Sequence, residues 1–131
     1  NFPSRAFRGT RDLARWYAEH GDLQLIRDPQ AHSDKIRVGQ IMFYGRAKTR
    51  IPKRFDLAIL TAPYPKGLLA HVGVVVAVDR AADGRLLSYT LFHGRSNGKP
   101  ASRSVIRTSQ NPNFGNWGQP WLAVASLLHR P

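Results

Sequence analysis

The 131-residue chain predicts an α+β fold in which an antiparallel sheet packs on an N-terminal helix. Apolar and aromatic residues recur at three- and four-residue spacing over Arg11 to His20, as they do along one side of a helix. His71 to Val78 alternates with period two. A second apolar run, Leu86 to His93, returns after an Asp83-Gly84 turn and completes an antiparallel hairpin.

Each element follows from local chemistry. Thr10 is a suitable cap for the first helix, whose side Leu13, Trp16, Tyr17 and His20 share, and Gly21 supplies a left-handed stop. Asp22 to Arg37 holds Pro29, His32, Ser33 and Asp34 with only short apolar pieces and reads as loop. Ile41 to Tyr44, bounded by Gly39 and Gly45, is too short for a helix and rich in strand formers. Arg46 to Lys66 carries Pro52, Pro63 and Pro65 and reads as a long loop or insertion, with Leu57 to Leu60 a strand or a helical turn. In His71 to Val78, Val72, Val74, Val76 and Val78 point one way and His71, Gly73, Val75 and Ala77 the other. A hairpin loop centred near Ala82 sets His71 opposite His93 on one face of the sheet. Ser104 to Thr108 is a further strand, Asn111 to Gly118 a turn-rich loop, and Trp121 to Leu128 a buried strand or short helix.

Composition bounds the function. An apolar fraction of 42% with 21% charged residues is ordinary for a globular domain, and one domain over residues 1–131 is the simplest division. No apolar run approaches the roughly 20 residues that span a bilayer, and no leader pattern opens the chain. Twenty Lys and Arg against eight acidic residues give a formal charge of +12, which attracts nucleic acid, anionic lipid or an anionic wall polymer. The 15 arginines are scattered singly rather than gathered in a block, which disfavours nucleic acid among these partners. The absence of cysteine excludes disulfides, thiolate metal sites and a cysteine nucleophile within these residues.

The order of elements carries a resemblance. Val38-Gly39-Gln40 leading into Ile41-Met42-Phe43-Tyr44, then His71-Val72-Gly73-Val74, then a return strand ending Phe92-His93-Gly94, resembles the NlpC and CHAP families of papain-like bacterial wall hydrolases. Phe2-Pro3-Ser4-Arg5 before the first helix is similar to the join that follows the nucleophile helix in those families. The resemblance implies a papain-like α+β fold, truncated at its N-terminal side, with the Cys-bearing helix upstream of Asn1 or on a separate segment. It implies a cysteine-type amidase or peptidase acting on wall peptide, with peptidoglycan as partner, no cofactor, and a secreted or envelope location if a leader was removed. His71 then corresponds to the catalytic histidine and His93, or alternatively Asn97, to the residue that orients it. Gln40 departs from the family's Asp, and the 131 residues alone lack the nucleophile and should be inactive.

Other residues compete for roles. Two histidines across a hairpin also suggest a metal pair, but no third ligand stands at a recognisable spacing, and no metal site is expected. Ser4, Ser33, Ser88 and Ser96 lack the setting of a hydrolase elbow. Trp16 and Trp121 fall in core patterns, whereas Trp117 in its Asn-Gly loop is a candidate substrate contact, as is Arg95 beside His93. A non-catalytic basic module that binds an anionic wall polymer or nucleic acid is the alternative function.

Overall fold

The computed structural model describes residues 9–63, 66–94 and 101–126. Period-two alternation and β-branched content produce most of what is seen: a single six-stranded antiparallel sheet. Its strands are β1 (Gln24–Leu25), β2 (Gln40–Gly45), β3 (Leu69–Arg80), β4 (Leu86–His93), β5 (Ser102–Arg107) and β6 (Trp121–Ser126). They lie in the order β1-β6-β2-β3-β4-β5, so the last strand inserts between the first two and β5 forms one edge. Among the described residues, helical structure is limited to α1 (Thr10–Glu19), a 3-10 segment over Pro29–Lys35, and the single turn α2 (Leu57–Leu60).

This corrects the expected fold. The papain-like α+β arrangement, with the sheet packed on an N-terminal helix, is not the architecture; a mainly-β sheet is. Three segments account for the difference. Gln24–Leu25, inside the expected loop, pairs with Val124 and Ala123, and the ambiguous run from Trp121 becomes the interior strand β6, between β1 and β2. Leu69 to Arg80 is longer than its alternating centre, because the sheet ladder continues past the apolar residues at both ends.

The two sheet faces have different covers. One face buries Met42, Tyr44, Val75, Tyr89, Leu91, Ile106, Trp121 and Val124 under Ile26, Ile36 and Phe114 from the two long loops. The other buries Ile41, Phe43, Ala123 and Ala125 with Ala14 and Tyr17 of α1 and with Phe55, Leu60 and Leu122. Ala14 and Tyr17 are the buried residues of α1, while Leu13 and Trp16 are only partly covered, so the helix covers one end of the sheet.

Hydrogen bonds close the loops onto this frame. Gly9 rather than Thr10 stands at the N-cap of α1, with no side-chain cap. At the other end Gly21 takes φ 73, and Asp22 Oδ2 accepts from the Ser126 amide at 3.0 Å, tying the helix to β6. Arg80 donates to Ser33 O and Ile36 O, both at 2.9 Å, and clamps the 3-10 segment to the hairpin end. Arg27 donates to Phe55 O at 2.6 Å and stacks over its ring, joining the segment after β1 to the one between β2 and α2. Asp56 caps α2 by accepting from the Ile59 amide at 2.9 Å. This bond and the Arg54 guanidinium hold the Asp56 carboxyl below its usual range. Among the described residues no helix is long and apolar enough to cross a membrane.

Candidate functional site

The strand registers bring His71 and His93 together. Tyr44 pairs with His71 and Gly73 with His93, and Tyr44, Gly73 and Leu91 share one face of the sheet. His71 and His93 therefore stand on that face as diagonal neighbours, not directly opposite as the expected loop centre implied. The loop runs from Ala81, whose amide bonds Arg85 O at 2.8 Å, so its centre is Asp83 rather than Ala82. One residue in the centre moves the pairing by two, which preserves the face. The face is the one opposite α1.

The rings join in a relay. His71 Nε2 lies 2.8 Å from His93 Nδ1, and His93 Nε2 lies 2.7 Å from Ser104 Oγ. The two rings meet edge to face, with centroids 4.9 Å apart. His93 is only 6% exposed, whereas His71 is half-buried at the open end. Burial, and then the neighbouring His93, lower the His71 pKa from 6.5, so its imidazole is neutral at pH 7. The His71 Nε2–His93 Nδ1 pair shares one proton, the Ser104 hydroxyl can donate or accept, and the relay runs in either of two directions. With His71 Nε2–H donating to His93 and His93 Nε2–H donating to Ser104, the His71 Nδ1 lone pair is free to accept a proton. No hydrogen bond to that nitrogen is formed among the described residues.

Gly73, the direct partner of His93, leaves room for Leu91 on the same face. A Cβ there would stand 2.6 Å from both Cγ and Cδ1 of Leu91, which fills the space the glycine leaves. Behind the histidines, Tyr89 donates to Phe114 O at 2.6 Å, so the Tyr44 hydroxyl, 2.7 Å away, donates to the Tyr89 oxygen. Burial raises both phenol pKa values well above 10 and keeps the chain of donors intact. It fixes the loop that carries Trp117.

Trp117 is 79% exposed, and its ring centroid is 6.4 Å from that of His93. It sits at φ 48, followed by Gly118 at φ 82, in a two-residue hairpin closed by reciprocal Asn116 and Gln119 backbone bonds of 2.9 Å. A bulky side chain in the left-handed region costs about 1 to 2 kcal/mol. The Lys48 amide further pins the turn by bonding Gly118 O at 3.1 Å.

The remaining expected residues divide. Arg95 and Asn97 lie outside the described residues. Ser33 and Ser88 line a cavity of about 720 Å³ with Arg85 and Arg107, at the end of β4 away from His93. No group of three His, Cys, Asp or Glu that could hold a metal ion occurs among the described residues. Ser104 and the Tyr44–Tyr89 pair are the contributors that sequence reasoning missed. Period two on β5 contains the signal for Ser104, since it places that residue on the face of Ile106, but the β4–β5 register needed to use it was not available from pattern alone. No protein-family model matches the chain, and no curated protein or solved structure is significantly similar to it.

Proposed function

We propose that the chain supplies the proton-transfer half of a cysteine-type amide hydrolase acting on bacterial cell-wall peptide. The observation that carries this reading is the His71–His93–Ser104 relay, whose outer imidazole has its pKa lowered by burial and makes no hydrogen bond at Nδ1 among the described residues. The nucleophile comes from a segment outside these 131 residues, which contain no Cys.

In the reaction, His71 Nδ1 takes the thiol proton as sulfur bonds the amide carbon. The C–N bond then breaks, and the same proton passes to the leaving amine. Water, deprotonated by Nδ1, attacks the thioester and releases the acid and the thiol. Throughout, His93 accepts from His71 Nε2–H, orients the ring and stabilises the transient imidazolium, while Ser104 accepts from His93 Nε2–H. Wall-peptide hydrolysis by the full gene product tests this. His71→Ala should lower the rate by about 10²- to 10⁴-fold and His93→Ala by less, whereas an unchanged rate in His71→Ala would defeat the reading.

The second reading is a basic binding module for an anionic wall polymer or nucleic acid. The formal charge of +12 favours it, as do Arg103 and Arg107, exposed on the edge strand with no ion pair among the described residues. Binding to such a polymer would then weaken steeply with salt. Binding that is flat across salt removes this alternative.

A further inference from the structure

We propose that the outer edge of β5 is a docking site for an extended acidic segment of another protein, which adds to the sheet as a seventh strand. The segment presents carboxylate, apolar and carboxylate side chains at alternate positions. This assignment is independent of the amide chemistry at His71.

The backbone of that edge is open. The sheet ends at β1 and β5, of which β1 has two residues and β5 six. The β4–β5 register pairs Phe92 with Arg103, Thr90 with Val105 and Ser88 with Arg107, and the ladder continues to Thr108, whose amide bonds Leu87 O at 3.0 Å. Inward bonding therefore falls on Thr108 and, by alternation, on Ile106, Ser104 and Ser102. Arg103, Val105 and Arg107 turn their N–H and C=O groups away from β4, with no backbone partner among the described residues. Such a row repeats about every 7 Å along a strand. Another β-strand can both donate to it and accept from it, whereas the phosphate backbone of a nucleic acid only accepts.

The side chains select the partner. Burial alternates along β5, so Arg103, Val105 and Arg107 are exposed while Ile106 is buried. Val105 is 52% exposed and its diagonal neighbour Phe92 is 44% exposed, on the face whose cover by α1 stops short of them. Arg103 and Arg107 flank this apolar pair without an ion pair among the described residues, and neither β4 nor β5 contains an acidic residue. A partner strand thus meets a cation, an apolar contact and a second cation at every other position. A second copy of this chain does not fit, because antiparallel pairing about Val105 sets Arg103 of each copy against Arg107 of the other. Edge charges also guard a sheet against such self-pairing, but a guard has no use for the exposed Val105 and Phe92 between and beside them.

The test is hydrogen exchange of the 15N-labelled chain with the blocked peptide Ser-Glu-Thr-Val-Thr-Glu-Ser, alongside a reordered peptide of the same composition with both Glu adjacent. The first peptide should slow exchange at the Arg103, Val105 and Arg107 amides and leave Ser102, Ser104 and Ile106, already bonded to β4, unchanged. The reordered peptide should bind about tenfold more weakly, as should the first peptide to an Arg103→Glu, Arg107→Glu double variant. That double variant should in turn bind the peptide in which Lys replaces both Glu. Val105→Pro removes the central outward donor without taking a bond from the β4 ladder, and it should also weaken binding about tenfold. No added protection at the three outward amides, equal binding of the reordered peptide, or a charge swap that fails to recover binding would overturn the proposal. So would protection of the same amides by self-association of the chain, or by oligoadenylate in preference to the peptide.

Discussion

Replacing Gly73 with alanine probes the packing of β3 against β4 beside the two histidines. The new Cβ would stand 2.6 Å from Leu91 Cγ and Cδ1 and 3.0 Å from Cδ2, roughly 1 Å inside ordinary carbon contact. Leu91 is fully buried among Val75, Tyr89 and Ile106 and has no open side into which to retreat. Overpacking of this kind costs about 1 to 3 kcal/mol, offset by about 0.5 to 1 kcal/mol for removing a strand glycine. The expected net loss is about 1 to 2 kcal/mol in a urea melt. Because Gly73 pairs directly with His93, a separation of β3 from β4 also stretches the 2.8 Å ring bond, and the relay should loosen. Leu91→Ala alone should cost about 2 to 5 kcal/mol, and combining it with Gly73→Ala should cost less than the two added, by about 1 kcal/mol. An alanine variant as stable as the parent, or strict additivity in that cycle, would refute the packing argument.

Tyr89→Phe should cost about 1 to 3 kcal/mol, since it strands the buried Phe114 carbonyl and the Tyr44 hydroxyl; faster amide exchange at Phe114 and Gly115 would show the Trp117 loop loosening. Stability should fall as pH drops below 6.5 toward the depressed His71 value, because there the unfolded chain binds a proton that the folded one does not; His71→Phe should flatten that part of the pH profile. At the alkaline end the sign reverses. Burial, and then Asp22, push the Tyr17 phenol up to about 12, and Tyr44 and Tyr89 are raised too, so stability should fall above pH 10 as the unfolded phenols ionise first. Phenolate absorbance followed alongside unfolding checks this directly.

The sheet was legible where one signal dominated. Period two identified β3 and β4, and the short apolar run between Gly39 and Gly45 identified β2, which is buried on both faces and too short for a helix. Their register was off by two residues, since Asp83-Gly84 marks a turn without fixing where its ladder closes. Irregularities between Val75 and Ala77 and between Asp79 and Arg80 then offset one another along the hairpin. β1, at two residues, is too short to leave a pattern, and β6 is apolar on both faces, which removes the alternation that would distinguish strand from helix. The papain-like expectation weighted a few motifs that β2, β3 and β4 do carry, but the layers around those strands follow from contacts that motifs do not encode. Ser104 and Tyr89 were missed for the same reason: hydrogen-bond partners on neighbouring strands emerge only once register is known.

The central claim is that His71 is a neutral base whose free nitrogen is Nδ1, held in that state by His93 and Ser104. Long-range 1H–15N spectra of the imidazoles at pH 7.5, with His71 and His93 assigned by single substitutions, measure it directly. The expected pattern is a proton on Nε2 of both rings and none on either Nδ1, with Ser104→Ala disturbing His93 first. A proton resident on His71 Nδ1, or a His71 ring already doubly protonated at that pH, would contradict it.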